Sequence, residues 1–214
     1  MKNLNTVTSQ AMRALSAIAL VLAGFYLLPG SIVGLHAAGN PMYQAKFDGS
    51  GELIRPAGWR EWIFVGSPVT PNSLNGGAAP FPEFHSVYID PESWAHYKKT
   101  GTFREGTMFA KELTLVGETA ASSGVGFFNG KLQGFEIAHK DSSKYTDESG
   151  GWAYYTFGHK PEPYADSAAA MPTCACAACH TALAAEDMVF TQYYPILNAA
   201  KGACDAGAGV GGKE

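Results

Sequence analysis

Near the carboxyl end of this 214-residue chain stands the run Cys176-Ala177-Ala178-Cys179-His180. Two thiols three positions apart, with an imidazole immediately after the second, form the arrangement that tethers a porphyrin. The thiols reach its two vinyl groups, and the histidine is placed to ligate the iron from the same side. The fold must therefore leave room for a macrocycle beside this segment. Other readings of the same residues are a zinc or iron–sulfur site from Cys174, Cys176, Cys179 and His180, or a plain disulfide. A second C-x-x-C or a His pair, as a zinc site would want, is absent from the sequence. The four cysteines, at 174, 176, 179 and 204, all fall in the last fifth of the chain, whereas a disulfide framework would spread them through the fold. Cys174 and Cys204 have no assigned role; they are left to pair with each other or to stay free.

The other end of the chain fits that chemistry, because haem c is attached outside the cytoplasm. Lys2 and Arg13 precede the charge-free run from Ala14 to Leu28, and Pro29, Gly30 and Ser31 interrupt it. A basic start and a short apolar core read as a secretory signal peptide over residues 1–38, with cleavage near Ala37, Ala38 and Gly39. The run is short for a membrane span, although His36 departs from a clean cleavage site and an uncleaved anchor is the alternative. The expected location is the periplasm. Loss of residues 1–38 leaves 176 residues and takes the formal charge from −4 to −6. That acidity argues against nucleic acid as a partner, and 176 residues suffice for one domain with a real core. The domain is expected over residues 39–204, with a flexible glycine-containing tail over 205–214.

The exported part reads as α+β: mainly antiparallel sheet, a few helices, and the haem attachment segment last. Strands are expected at Trp59–Val65, His85–Ile89, Thr107–Val116 and Trp152–Phe157. A hairpin over Gly126–His139 is expected to turn at Asn129-Gly130. Asp90-Pro91-Glu92-Ser93 starts a helix with Asp90 as cap, and Gly101 ends it. From Ser167 onward the Ala-rich chain looks helical around the cysteine motif, and Tyr194–Lys201 reads as a last short helix. A β-rich body followed by a late haem motif is not the organisation of most small helical electron carriers.

Side chains alternate across a strand, so Thr107, Phe109, Lys111, Leu113 and Leu115 share one face. Lys111 thus sits among apolar neighbours, where a lysine must snorkel, pair or react. A buried lysine loses its proton readily and becomes a nucleophile.

Several stretches, in order along the chain, resemble the cytochrome P-460 family, whose other branch is cytochrome c′-beta. They are GWREW (58–62), VGSPVTPNSLNGGAAPF (65–81), VYIDPESWAHYKKTGTFREGT (87–107), AKEL (110–113), GGWAYYTF (150–157), CAACH (176–180) and DMVFTQYYPIL (187–197). The resemblance implies a mostly antiparallel β fold, a homodimer and a five-coordinate haem with His180 as the only protein ligand. It implies further that Lys111, in AKEL, bonds to a meso carbon of the haem, as in the P-460 branch and not in the c′-beta branch. It places Glu136, in QGFEIAHKD, at the distal carboxylate position of hydroxylamine-oxidising members. Gly134, Phe135, Ile137 and Ala138 surround Glu136 with little polarity, and desolvation disfavours a charged carboxylate, so such a group takes and returns protons. At His85 the family commonly carries arginine, so the chain departs from the pattern there.

The function expected from the resemblance is oxidation of hydroxylamine to nitrous oxide or nitric oxide. Glu136 and Lys111 are its catalytic candidates, Cys176, Cys179, His180 and Lys111 hold the haem, and His180 is the metal ligand. Electrons would pass to another cytochrome. The alternatives are a c′-beta-like nitric oxide binder and a plain electron-transfer cytochrome. The latter would recruit a sixth ligand from His96, His139, His159, Met108, Met171 or Met188.

Overall fold

A computed structural model describes residues 43–117, 119–146 and 149–205, with side chains to 201. The signal-peptide reading of residues 1–38 and the tail reading of residues 206–214 lie outside the described residues. Among the described residues, no helix is long and apolar enough to cross a membrane.

Five strands form the main sheet: β2 (Ile63–Gly66), β3 (Phe84–Ile89), β4 (Met108–Val116), β7 (Asn129–Lys140) and β8 (Trp152–Gly158). They lie in the order β2-β3-β4-β7-β8, and every neighbouring pair is antiparallel. A short ribbon pairs β1 (Leu53–Ile54) with β9 (Ser167–Ala168), and a small hairpin pairs β5 (Ala120–Ala121) with β6 (Gly124–Val125). Three α-helices complete the described fold: α1 (Pro91–Thr100), α2 (Thr173–Leu183) and α3 (Pro195–Asp205). The α+β expectation, with sheet dominant and the cysteine motif on a late helix, is met.

Alternation along the strands builds two cores, one on each face. Met108 and Ala110 of β4 join Phe135, Ile137, Ala153, Tyr155 and Phe157 beneath Leu53, Trp59, Trp62 and Tyr164. On the opposite face Ile89, Phe109 and Trp152 pack with Val65, Val87, Tyr97, Phe103, Val189, Leu197 and Ala200, which brings α1 and α3 onto the sheet. Helix α1 starts as its residues dictate. The Asp90 carboxylate accepts from the Ser93 amide at 2.8 Å, Pro91 fills the first turn, and Gly101 closes the helix at φ 70°. Asp90 also accepts from the Met108 amide at 2.9 Å, tying the helix start to the start of β4.

Three local expectations are corrected. The first strand begins only at Ile63, because Gly58 (φ 67°) opens a 3-10 turn over Trp59–Glu61. That turn folds the Trp59 indole onto Phe135 at 4.4 Å between ring centres. Asn129-Gly130 is not a turn but the start of a twelve-residue strand. There the Thr114 hydroxyl donates to Asn129 Oδ1 at 2.6 Å, and a Cβ on Gly130 would lie 3.0 Å from the Leu115 carbonyl oxygen. Close strand approach, not chain reversal, uses that pair; the reversal occurs upstream, between β5 and β6. Ser167–Ala168 is strand, and α2 begins only at Thr173, after Pro172.

Candidate haem site

The face that carries α1 and α3 is covered along the row Ile89–Phe109–Ala138–Tyr154. One register step further is the row Val87–Lys111–Glu136–Thr156, and next to it His85–Leu113–Gly134. The apolar cover is thinner there. Lys111 and Glu136 side chains keep 29% and 26% of their accessible surface. They face each other directly across β4 and β7, with Lys111 Nζ 2.5 Å from Glu136 Oε2. The sequence reading placed Lys111 on the face of Phe109 and Leu113 correctly, but foresaw only apolar company for Glu136. An ammonium stands against it instead.

Helix α2 carries the cysteine motif to this region. Cys176, Cys179 and His180 occupy positions i, i+3 and i+4 and so share one helix face. Ala177 is buried, and the Thr181 hydroxyl donates to its carbonyl at 2.9 Å. Cys174, Cys176 and Cys179 are all free thiols, and among the described residues no group of three or more His, Cys, Asp or Glu side chains is gathered to hold a bare metal ion. The segment before the helix is stitched to β8: the Met171 amide donates to the Tyr154 carbonyl at 2.7 Å, and Ala170 bridges Tyr155.

The His180 ring lies between Tyr154 and Phe190, with ring centres 4.5 and 4.6 Å away. Its Nδ1 is 2.6 Å from the Met188 carbonyl oxygen. A carbonyl can only accept, so Nδ1 carries the proton and Nε2 keeps its lone pair, as an iron ligand requires. Burial holds the imidazole below its usual pKa; the Met188 carbonyl raises it, the Lys111 charge lowers it and the Glu136 charge raises it. Burial raises the Cys176 thiol pKa, Glu136 adds to that and Lys111 opposes it. The charged pair on the sheet and the motif on the helix therefore act on one another.

His85 is brought to the same place. Burial pushes its pKa down to about 4; the Lys111 charge lowers it further, while Glu136 and Glu83 oppose. The imidazole is thus neutral at physiological pH. Its Nε2 is buried with no hydrogen-bond partner among the described residues, as is the Tyr154 hydroxyl. A buried polar atom without a partner is one that a group from outside the chain can satisfy. Two accessible thiols on one helix face, an imidazole with a free Nε2, an orphan atom on His85 beside the lysine–glutamate pair and another on Tyr154 beside His180 suit a porphyrin.

The profile of the Cytochrome P460 family matches residues 56–191. The chain belongs to the cytochrome P460 family. It is a haem-binding cytochrome of a family with oxidoreductase activity. Among curated proteins no match is found. In this cytochrome four of the six candidate sixth ligands have other surroundings. Met108 and His139 face each other across β4 and β7 on the opposite side of the sheet from Lys111 and Glu136. His159 Nε2 is 2.9 Å from Glu83 Oε1, and His96 Nε2 is 3.4 Å from the Thr102 hydroxyl. Sequence reasoning gave no role to Tyr154, Phe190 or the Met188 carbonyl. Of these only Tyr154 had a signal, since alternation puts it on the face of Trp152.

Proposed function

We propose that this cytochrome oxidises hydroxylamine, to nitrous oxide or nitric oxide, at a haem c attached through Cys176 and Cys179. In this reading His180 ligates the iron, and Lys111 is bonded to the porphyrin. The observation that carries it is the Lys111–Glu136 pair, on the sheet face that also receives the cysteine motif. When bound, the haem would supply an iron that can take substrate and a route by which electrons leave.

The rest falls to the chain. His180, fixed by Tyr154, Phe190 and the Met188 carbonyl, would ligate the iron through Nε2. Every electron taken from hydroxylamine is matched by a proton that must find a base. Glu136 is that base, once Lys111 is committed to the porphyrin and no longer holds its carboxylate in an ion pair. His85, neutral and with an unpartnered Nε2, is a second polar group beside it. Phe81, Val87 and Leu113 give the remaining surroundings apolar character; the Phe81 ring centre is 5.8 Å from Lys111 Nζ. The protein is read as exported to the periplasm, homodimeric, and passing electrons to another cytochrome. Support for this comes from the N-terminal pattern and the family resemblance.

Absorption spectroscopy with a turnover assay tests the reading. Expected are a high-spin haem with a red-shifted ferrous Soret band, and hydroxylamine-dependent reduction of an artificial electron acceptor. Tight binding of nitric oxide with no turnover would make the protein a capture module instead. A six-coordinate spectrum would make it an electron carrier and end the proposal.

A further inference from the structure

The turn that holds His180 in place is itself held by side chains from β7 and β8. Asp187 and Met188 are consecutive non-glycine residues in the left-handed region, at φ 43° and 61°. Side chains disfavour that region, so a surrounding structure must impose it. The turn they form is closed by Glu186 and Val189, whose backbones exchange hydrogen bonds of 2.7 and 3.3 Å. Its carbonyl at Met188 is the one that accepts from His180 Nδ1 at 2.6 Å.

Two side chains grip the turn from the sheet, and both grip Asp187. Lys140 Nζ, at the end of β7, donates to Asp187 Oδ2 at 2.5 Å. Trp152 Nε1, at the start of β8, donates to Asp187 Oδ1 at 3.3 Å. Lys140 and Trp152 are themselves opposed in the β7–β8 register, and the Lys140 ammonium lies 5.6 Å from the Trp152 ring centre. Gly150 leaves room for Met188, because a Cβ there would stand 3.2 Å from Met188 Cγ. Glu186 anchors the near side through Lys201, at 3.2 Å, and the Tyr97 hydroxyl, at 3.3 Å.

We propose that Asp187 is a positioning residue for the iron's protein ligand. Gripped by Lys140 and Trp152, its carboxylate locks a left-handed turn that aims the Met188 carbonyl at His180 Nδ1. A histidine that donates strongly from Nδ1 is a more electron-rich ligand through Nε2 and favours the oxidised metal. Asp187 would thus set the strength of the iron–histidine bond and the haem potential without touching the haem. The inference rests on the haem reading above, in which His180 ligates iron.

The test uses the haem-loaded full protein with Asp187→Ala, Asp187→Asn and Lys140→Met. Haem content, the ferrous iron–histidine stretching frequency by resonance Raman, and the midpoint potential are measured. Asp187→Ala should lower the frequency and raise the potential at unchanged haem content. Asparagine keeps one of the two acceptor oxygens and tolerates left-handed backbone, so Asp187→Asn should lie between the native and alanine values. Lys140→Met should shift both readouts in the direction of the alanine variant. It carries the test alone if Asp187→Ala does not accumulate. Native frequency and potential in Asp187→Ala, or in Lys140→Met where that stands alone, would overturn the inference. A native protein without an iron–histidine stretch would overturn the haem reading instead.

Discussion

Lys111 Nζ stands 2.5 Å from Glu136 Oε2 across a directly opposed pair of residues in β4 and β7. Both side chains retain more than a quarter of their exposure, so solvent screens the pair. Ion pairs of that kind contribute only about 0–1 kcal/mol to stability. Its place in the fold is better explained by chemistry than by stability. A lysine and a carboxylate are directly opposed on the sheet face that receives the cysteine motif.

Replacing Lys111 by alanine should therefore cost little stability, within about 1 kcal/mol by chemical denaturation. The haem should remain attached through Cys176 and Cys179. What should change is colour: the ferrous Soret band should move from its red-shifted position to that of an ordinary high-spin haem c. Identical spectra for native and Lys111→Ala protein would mean that the lysine is not bonded to the porphyrin.

Glu136→Ala leaves the cysteine motif untouched and removes the proposed base. Loss of a positioned general base typically slows turnover by roughly 10²–10⁴-fold. Hydroxylamine-dependent acceptor reduction should fall in that range while haem content stays native. Glu136→Gln keeps the shape and should fall as far, which separates proton transfer from packing. Native turnover in both variants would remove Glu136 from the mechanism.

Legibility of the fold followed the range of the forces that set each piece. The α1 start was readable because Asp90, Pro91 and Ser93 settle it within four residues, and Gly101 settles the end. The face of Lys111 was readable because alternation is local. Its opposition to Glu136 was not, because register depends on the β4–β7 pairing and its irregularities near Leu113 and Thr114. Asn129-Gly130 carries a strong turn signal, yet the nearness of Leu115 and Gly117 puts it in a strand. The Asp187-Met188 turn had no local signal, since Lys140 and Trp152 impose it from strands that end or begin more than thirty residues earlier in the chain. The spacing of the cysteine motif was legible, and on α2 it puts Cys176, Cys179 and His180 on one helix face.

Cys176→Ser and Cys179→Ser should each remove one thioether, leaving the other and the proposed Lys111 bond, and the double variant should leave the haem on Lys111 alone. Intact mass measures both. Haem retained by the Cys176→Ser/Cys179→Ser protein would show that Lys111 alone suffices as a tether; in the same background Lys111→Ala should then release it. Cys174→Ser should leave the mass gain from haem unchanged, because that thiol is exposed and lies outside the C-x-x-C spacing.

His139 predicts how the protein responds to acid. Its side chain is buried, with 4% exposure, on the sheet face away from Lys111, and its Nδ1 has no partner among the described residues. The ring is packed near Phe47 and Tyr145. Burial lowers its pKa from 6.5 to about 4, with Asp141 and Glu105 raising it and Lys144 lowering it. The unfolded chain therefore binds this proton at a higher pH than the folded one does. Stability is full above pH 6.5 and falls as pH drops from there toward 4, because only the unfolded state gains the proton in that window. A shift of this size corresponds to on the order of 3 kcal/mol at the acid end. Chemical denaturation of native protein between pH 7.5 and 4 (about one unit beyond the upper pKa, to the lower one) should show this loss. His139→Gln should lose distinctly less over the same range, at some cost in stability at neutral pH. Equal acid sensitivity in the two proteins would show that the imidazole is hydrated, or already protonated, in the folded state.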